Sequence, residues 1–266
     1  MAYIASNNTT YDISGTSGPV VVLIHGLGVN RHMWKWQIHQ FAKEYRVVTY
    51  DLFGHGDSPL PHMAPSLTLY SSQLRGLLDE LDIQQIAVVG FSLGGMIARK
   101  FAMDFENRLW ALAIVSSPHH RAKKARKAVQ DRVDQAKQCG PEATVKDALT
   151  RWFSEDFREK FPDRVETVRN WVMANDRNIY SSLYQVLVDG VDELIVPTRK
   201  IICPTLVMTG EQDYGNPPAM SVAIAKEIPG SVVRILPGLR HMAMIESPEH
   251  FNPELLTFLS VHKPTR

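Results

Sequence analysis

The sequence predicts a doubly wound α/β fold, a mostly parallel sheet interrupted by an inserted block of helices. Three observations carry that prediction. Short apolar runs rich in β-branched residues recur along the chain. Segments with helical spacing alternate with them. One long stretch, from about Pro118 to Pro197, has helical patterning and no strong strand run.

The first strand run is Val20 to His25, followed by Arg46 to Asp51 and Ile86 to Gly90. Leu112 to Val115, Thr205 to Thr209 and Val232 to Leu236 complete the set. Runs this apolar fit strands covered on both faces, as in a parallel sheet. Between them, Leu69 to Leu81 places Leu69, Leu74, Leu77, Leu78 and Leu81 close to helical spacing. Met96 to Phe105 and Pro217 to Ile228 also read as helices. The helical block is expected to be a lid over the carboxyl ends of the strands, where open α/β sheets bind ligands. The expected division is therefore 1–117 as the first part of the core, 118–197 as the lid and 198–266 as the second part of the core.

Composition narrows the class. The chain has 266 residues, 44% hydrophobic and 21% charged, which is ordinary for a globular protein with a sizeable core. A formal net charge of +1 gives no global argument for binding nucleic acid or an anionic membrane. The two cysteines, Cys139 and Cys203, lie far apart and have no metal-ligand spacing, so they read as ordinary thiols. The first ten residues lack a basic segment followed by an apolar one, and no apolar run approaches the roughly 20 residues that span a bilayer. A cytoplasmic protein is expected.

The strongest chemical signal is Gly90-Phe91-Ser92-Leu93-Gly94, a G-x-S-x-G pattern with a strand before it and a helix after it. A sharp strand-to-helix turn projects the serine oxygen, and small residues on either side let the chain pack that tightly. The helix that follows favours developing negative charge at its N-terminus. Upstream, His25-Gly26-Leu27-Gly28 follows the first strand and can aim a backbone N–H at a reacting carbonyl. The expected oxyanion donors are the N–H groups of Leu27 and Leu93, each worth about 3 kcal/mol in the transition state. The turn lacks the spacing of a phosphate-binding loop.

A serine needs a base, and the chain has ten histidines. His241, in the loop after Val232 to Leu236, lies at the same sheet edge as Ser92. His55 reads as a turn histidine and His25 as a buttress of the oxyanion turn. The base needs an acid, and Asp213 in Gly210-Glu211-Gln212-Asp213 follows another strand; Glu211 is its nearest rival. The order Ser92, Asp213, His241 is the one this nucleophile turn calls for.

These segments, with Asp51 to Ser58 and His241 to Pro248, resemble the α/β-hydrolase superfamily over nearly the whole chain. Within it the chain looks like the group of 3-oxoadipate enol-lactonases, small carboxylesterases, cofactor-free perhydrolases and C–C bond hydrolases. The resemblance implies that Ser92, Asp213 and His241 form a catalytic triad. It disfavours dehalogenase and epoxide hydrolase activity, which use aspartate where Ser92 stands. Meta-cleavage C–C hydrolases carry tryptophan after the catalytic histidine, whereas Met242 stands here.

The expected reaction is hydrolysis of a small-molecule carboxylic ester or lactone, with no cofactor, metal, nucleic acid or membrane. The alternatives are a C–C hydrolase and a non-catalytic ligand receptor on the same fold. A homo-oligomer is compatible with the sequence. Trp34, His119 and Met242 are the expected substrate contacts. Trp152, Phe153, Trp171, Tyr180 and Tyr184 are lid aromatics that pack onto the core or line the pocket. The basic run Arg121, Lys123, Lys124, Arg126 and Lys127 reads as a solvated helix face, or alternatively as a device that steers carboxylate substrates.

Overall fold

The computed structural model describes residues 2–195 and 200–264. Among them, eight strands form one sheet: β1 (Tyr3–Ile4), β2 (Thr10–Ser14), β3 (Val20–Ile24), β4 (Arg46–Tyr50), β5 (Ile86–Phe91), β6 (Leu109–Val115), β7 (Thr205–Gly210) and β8 (Val232–Leu236). Their spatial order is β1-β2-β4-β3-β5-β6-β7-β8. Every pairing from β4 across to β8 is parallel. Only the edge pairings β1–β2 and β2–β4 are antiparallel. The fold is that of an α/β hydrolase, with the chain winding from β3 one way to β4 and the other way through β5 to β8.

Eleven α-helices accompany the sheet among the described residues. They are α1 (Lys35–Phe41), α2 (Leu67–Glu80), α3 (Leu93–Asp104), α4 (Lys123–Cys139), α5 (Glu142–Trp152), α6 (Glu155–Lys160), α7 (Pro162–Met173), α8 (Tyr180–Ile195), α9 (Pro218–Glu227), α10 (Ala243–Glu246) and α11 (Pro248–His262). Strands β5, β6 and β7 are buried at every residue, which is why they read as unbroken apolar runs. At the edge, β8 instead alternates, with Val232 and Arg234 exposed. Helix α2 begins two residues earlier than its leucine spacing indicates. Ser66 caps it, its side chain accepting from the Leu69 N–H at 3.1 Å.

Helices α4 to α8 lie between β6 and β7 in the chain. The basic α4 keeps Lys123, Lys124 and Lys127 exposed and buries Val129, Val133 and Ala136. Helix α8 is the most apolar of the five and packs Gly190 against Leu67 and Met96 of the core. The expected lid end at Pro197, and the start of the second core part at 198, lie outside the described residues. No helix among the described residues is long and apolar enough to cross a membrane.

One buried ionic cluster fixes the loop after β3. Arg31 is 4% exposed and pairs with Asp12 at 2.7 Å, with Asp57 at 2.9 Å and with Asp51. Asp51 also accepts from the backbone N–H groups of Arg31 (2.8 Å) and Asp57 (2.9 Å). Burial works against the Arg31 charge, but the surrounding carboxylates, Asp51 first, outweigh it and hold its pKa above the ordinary value. Beside the cluster, fully buried His25 donates from Nδ1 to the Gly26 carbonyl (2.8 Å) and accepts at Nε2 from the Leu52 N–H (2.9 Å). The histidine is thus neutral and ties the two loops together. Burial pushes its pKa down to about 4. His55, stacked edge-on at 5.2 Å, is pushed down to about 3, by burial first and then by His25.

Candidate active site

Ser92 stands between β5 and α3 with φ +53° and ψ −111°, a strained backbone for a non-glycine residue. Its N–H donates to the Val115 carbonyl at 2.8 Å. Its own carbonyl accepts from the N–H groups of Gly95 (3.0 Å) and Met96 (3.2 Å) and from the Ser117 hydroxyl (3.0 Å). The turn is compact enough that a Cβ at Gly90 would collide with the Gly94 backbone, and one at Gly94 with the Ile24 and His25 carbonyls. Those contacts explain the glycines flanking the serine.

His241 follows β8 and Asp213 follows β7. The His241 Nδ1–H donates to Asp213 Oδ2 at 2.7 Å. Asp213 is 1% exposed, and its other oxygen accepts the N–H groups of Gly215 (3.0 Å) and Asn216 (2.9 Å). With Nδ1 protonated, the neutral imidazole carries its lone pair on Nε2. The ring packs against Phe91, centroids 4.8 Å apart, and Trp152, 6.2 Å apart. Glu211, the rival acid, instead accepts from the Gly238 N–H at the surface.

Ser92, Asp213, His241 and Leu27 line one cavity. Leu93 opens α3 directly behind the serine. Among the described residues, the backbone N–H groups of Leu27 and Leu93 have no acceptor within the chain. The cavity is roofed by the inserted helices: Val129 and Arg132 from α4, Thr144, Ala148, Arg151 and Trp152 from α5, and Tyr180, Tyr184 and Leu187 from α8.

Three residues expected to touch substrate lie elsewhere. Trp34 is fully buried in the core, and its indole N–H meets no acceptor among the described residues. Met242 is also fully buried; the backbone turns its side chain into the core while its N–H donates to the Trp152 carbonyl at 3.2 Å. His119 turns away to Glu227, with Nε2 2.7 Å from Oε1, in a cluster with buried Arg99. His120 is exposed. Of the lid aromatics, Trp152, Tyr180 and Tyr184 line the cavity; Phe153 is buried, and Trp171 stacks edge-on to Trp36.

Sequence reasoning missed Asn216, Arg132 and Arg151. Asn216 donates from Nδ2 to the Ser116 carbonyl at 2.8 Å and so locks the Asp213 loop to the end of β6. Its place three residues after the acid was the available signal. The arginines carry none, since an arginine on a polar helix face reads as solvated.

A profile of the alpha/beta hydrolase family matches residues 21–252. The chain belongs to that family, and is a hydrolase. It is 29% identical over 234 residues to 3-oxoadipate enol-lactonase 2 of Acinetobacter baylyi, covering 88% of this chain and 86% of the relative. A second relative from that organism, (E)-2-((N-methylformamido)methylene)succinate hydrolase, is 25% identical over 256 residues, with 96% of each chain covered. Among solved structures, the enol-lactonase of Burkholderia xenovorans LB400 superposes with a TM-score of 0.87 at 26% identity, covering 98% of this chain and all of that one.

Proposed function

We propose that this hydrolase cleaves a carboxylic ester or lactone through an acyl-enzyme on Ser92. One observation carries the reading: the strained Ser92 turn opens onto the same cavity as His241, whose Nδ1 is held by buried Asp213 at 2.7 Å. Ser92 Oγ attacks the carbonyl carbon while His241 Nε2 takes its proton. Asp213 holds the tautomer and stabilises the imidazolium. The oxyanion is received by the N–H groups of Leu27 and Leu93. The leaving alcohol takes the proton from His241, and water then repeats the sequence to free the acid. For a lactone, acid and alcohol leave as one molecule.

The likeness to an enol-lactonase supports a lactone or ester over other bonds. The substrate is a small molecule, and no step above requires a cofactor. A cytoplasmic setting is part of this reading, and the free thiols Cys139 and Cys203 are compatible with it. The test is Ser92→Ala against a panel of p-nitrophenyl esters and lactones. The variant should keep its circular dichroism and melting temperature and lose at least 10⁴-fold in kcat. Undiminished turnover by the folded variant would overturn the reading.

A further inference from the structure

The cavity lined by Ser92 is also lined by three arginines, Arg121, Arg132 and Arg151. They come from separate places: Arg121 precedes α4, Arg132 sits within α4, and Arg151 is in the last turn of α5. All three are half-buried. Arg121 donates only to neutral acceptors, the Leu187 carbonyl at 2.9 Å and Asn216 Oδ1 at 3.4 Å. Arg132 donates to the Ala128 carbonyl at 3.1 Å. Among the described residues Arg151 makes no side-chain hydrogen bond, and none of the three forms an ion pair. Among the described residues, the one carboxylate lining the cavity, Asp213, is already engaged by His241, Gly215 and Asn216.

Half-buried cations without a counter-charge are costly. Here they also repel one another. The Arg121 pKa is pushed down to about 10, by burial first and then by Arg132. Arg151 is lowered by burial first and then by Arg132; Asp147, one turn back on α5, offsets this only in part and forms no ion pair with it. The chain solves this problem at Arg31 with three aspartates and leaves it unsolved at the cavity. A guanidinium matches a carboxylate with paired N–H donors. One carboxylate would still leave two of the three cations unbalanced; two carboxylates leave one, in a cavity that Tyr180 and Tyr184 also line.

We propose that the cavity takes a substrate carrying two free carboxylates in addition to the ester or lactone carbonyl, held by Arg121, Arg132 and Arg151. The proposal rests on the hydrolase reading for the carbonyl, but the anion site stands on the arginines alone.

Calorimetric binding to the full chain tests the anion site without turnover, using succinate, butyrate, dimethyl succinate and inorganic phosphate. Succinate should bind at least tenfold tighter than butyrate and phosphate, and dimethyl succinate not measurably. Arg151→Gln and Arg132→Gln should each lose at least tenfold for succinate, whereas Lys127→Gln on the exposed face of α4 changes nothing. Equal binding of succinate and butyrate, phosphate binding as tight as succinate, or unchanged succinate binding in both folded arginine variants would each overturn the proposal. A turnover arm separates the two readings. The p-nitrophenyl ester of tricarballylate, which keeps two free carboxylates, should exceed p-nitrophenyl butyrate at least tenfold in kcat/KM, and Arg151→Gln should erase the difference through KM. Ester turnover with no preference for charge sinks the dicarboxylate site and leaves the hydrolase standing. Tight succinate binding without turnover of any ester or lactone does the reverse.

Discussion

Arg31 and the arginines of the inserted helices pose the same electrostatic problem and meet opposite fates. Arg31 is buried among Asp12, Asp51 and Asp57, and its backbone N–H joins the same Asp51 carboxylate. Arg121, Arg132 and Arg151 face the cavity with carbonyl or amide oxygens as their only acceptors, or none. A charge neutralised within the chain holds the chain together. A charge left open at a cavity leaves stability unclaimed until something binds. The first group therefore belongs to folding and the second to recognition.

The largest expected effect is at Arg31. Arg31→Met strands Asp51 as a buried, uncompensated charge, and removal of one partner of such a pair costs about 3–5 kcal/mol. Urea melts read by circular dichroism check this; a loss under 1 kcal/mol would erase the contrast. Next comes pH. Folding holds His25 neutral with its pKa near 4, whereas the unfolded chain binds that proton near 6.5. Its contribution is complete above pH 6.5, falls progressively as the pH drops to about 4, and approaches about 3 kcal/mol. His25→Gln should flatten melting temperature against pH across that window. Smaller still, and opposite in sign to Arg31, Arg151→Gln removes a like-charge repulsion and should leave stability unchanged or raise it by up to about 1 kcal/mol. At the surface, Lys127→Ala breaks the exposed pair with Asp131 and should move stability by less than about 0.5 kcal/mol.

The parallel strands were legible because burial on both faces leaves an unbroken apolar signature, as in Val20–Ile24 and Leu109–Val115. The antiparallel edge was not. Thr10–Ser14 mixes polar and apolar residues because part of it faces solvent, and Tyr3–Ile4 is two exposed residues. The meeting of Ser92, Asp213 and His241 was legible for a topological reason: each follows a strand of one parallel sheet, so all three arrive at the same edge. His119 and Met242 stand about as close to strand ends in the sequence as His241 does, and Trp34 stands further along the loop after β3. Which way each side chain turns is decided by packing, and it turned all three from the cavity. The arginines were hidden by the opposite ambiguity. Arg121 belongs to a basic run whose lysines are solvated, and only the approach of α5 and α8 separates it from them.

The contacts that fasten the inserted helices bear on how such an enzyme can change. Glu246 accepts the N–H groups of Arg240 (2.9 Å) and Ser154 (2.8 Å), while Arg240 reaches the carbonyls of Thr150 (2.7 Å) and Phe153 (2.9 Å). On the other flank, Asn175 donates to the Gly28 carbonyl at 2.8 Å. The residue preceding the histidine and the turn bearing Leu27 are thus both stitched to the roof. The roof is a jig as well as a sieve. Trading it for another to admit a different molecule would also loosen the tools beneath, so a new substrate preference must be bought with fresh stitches at both seams.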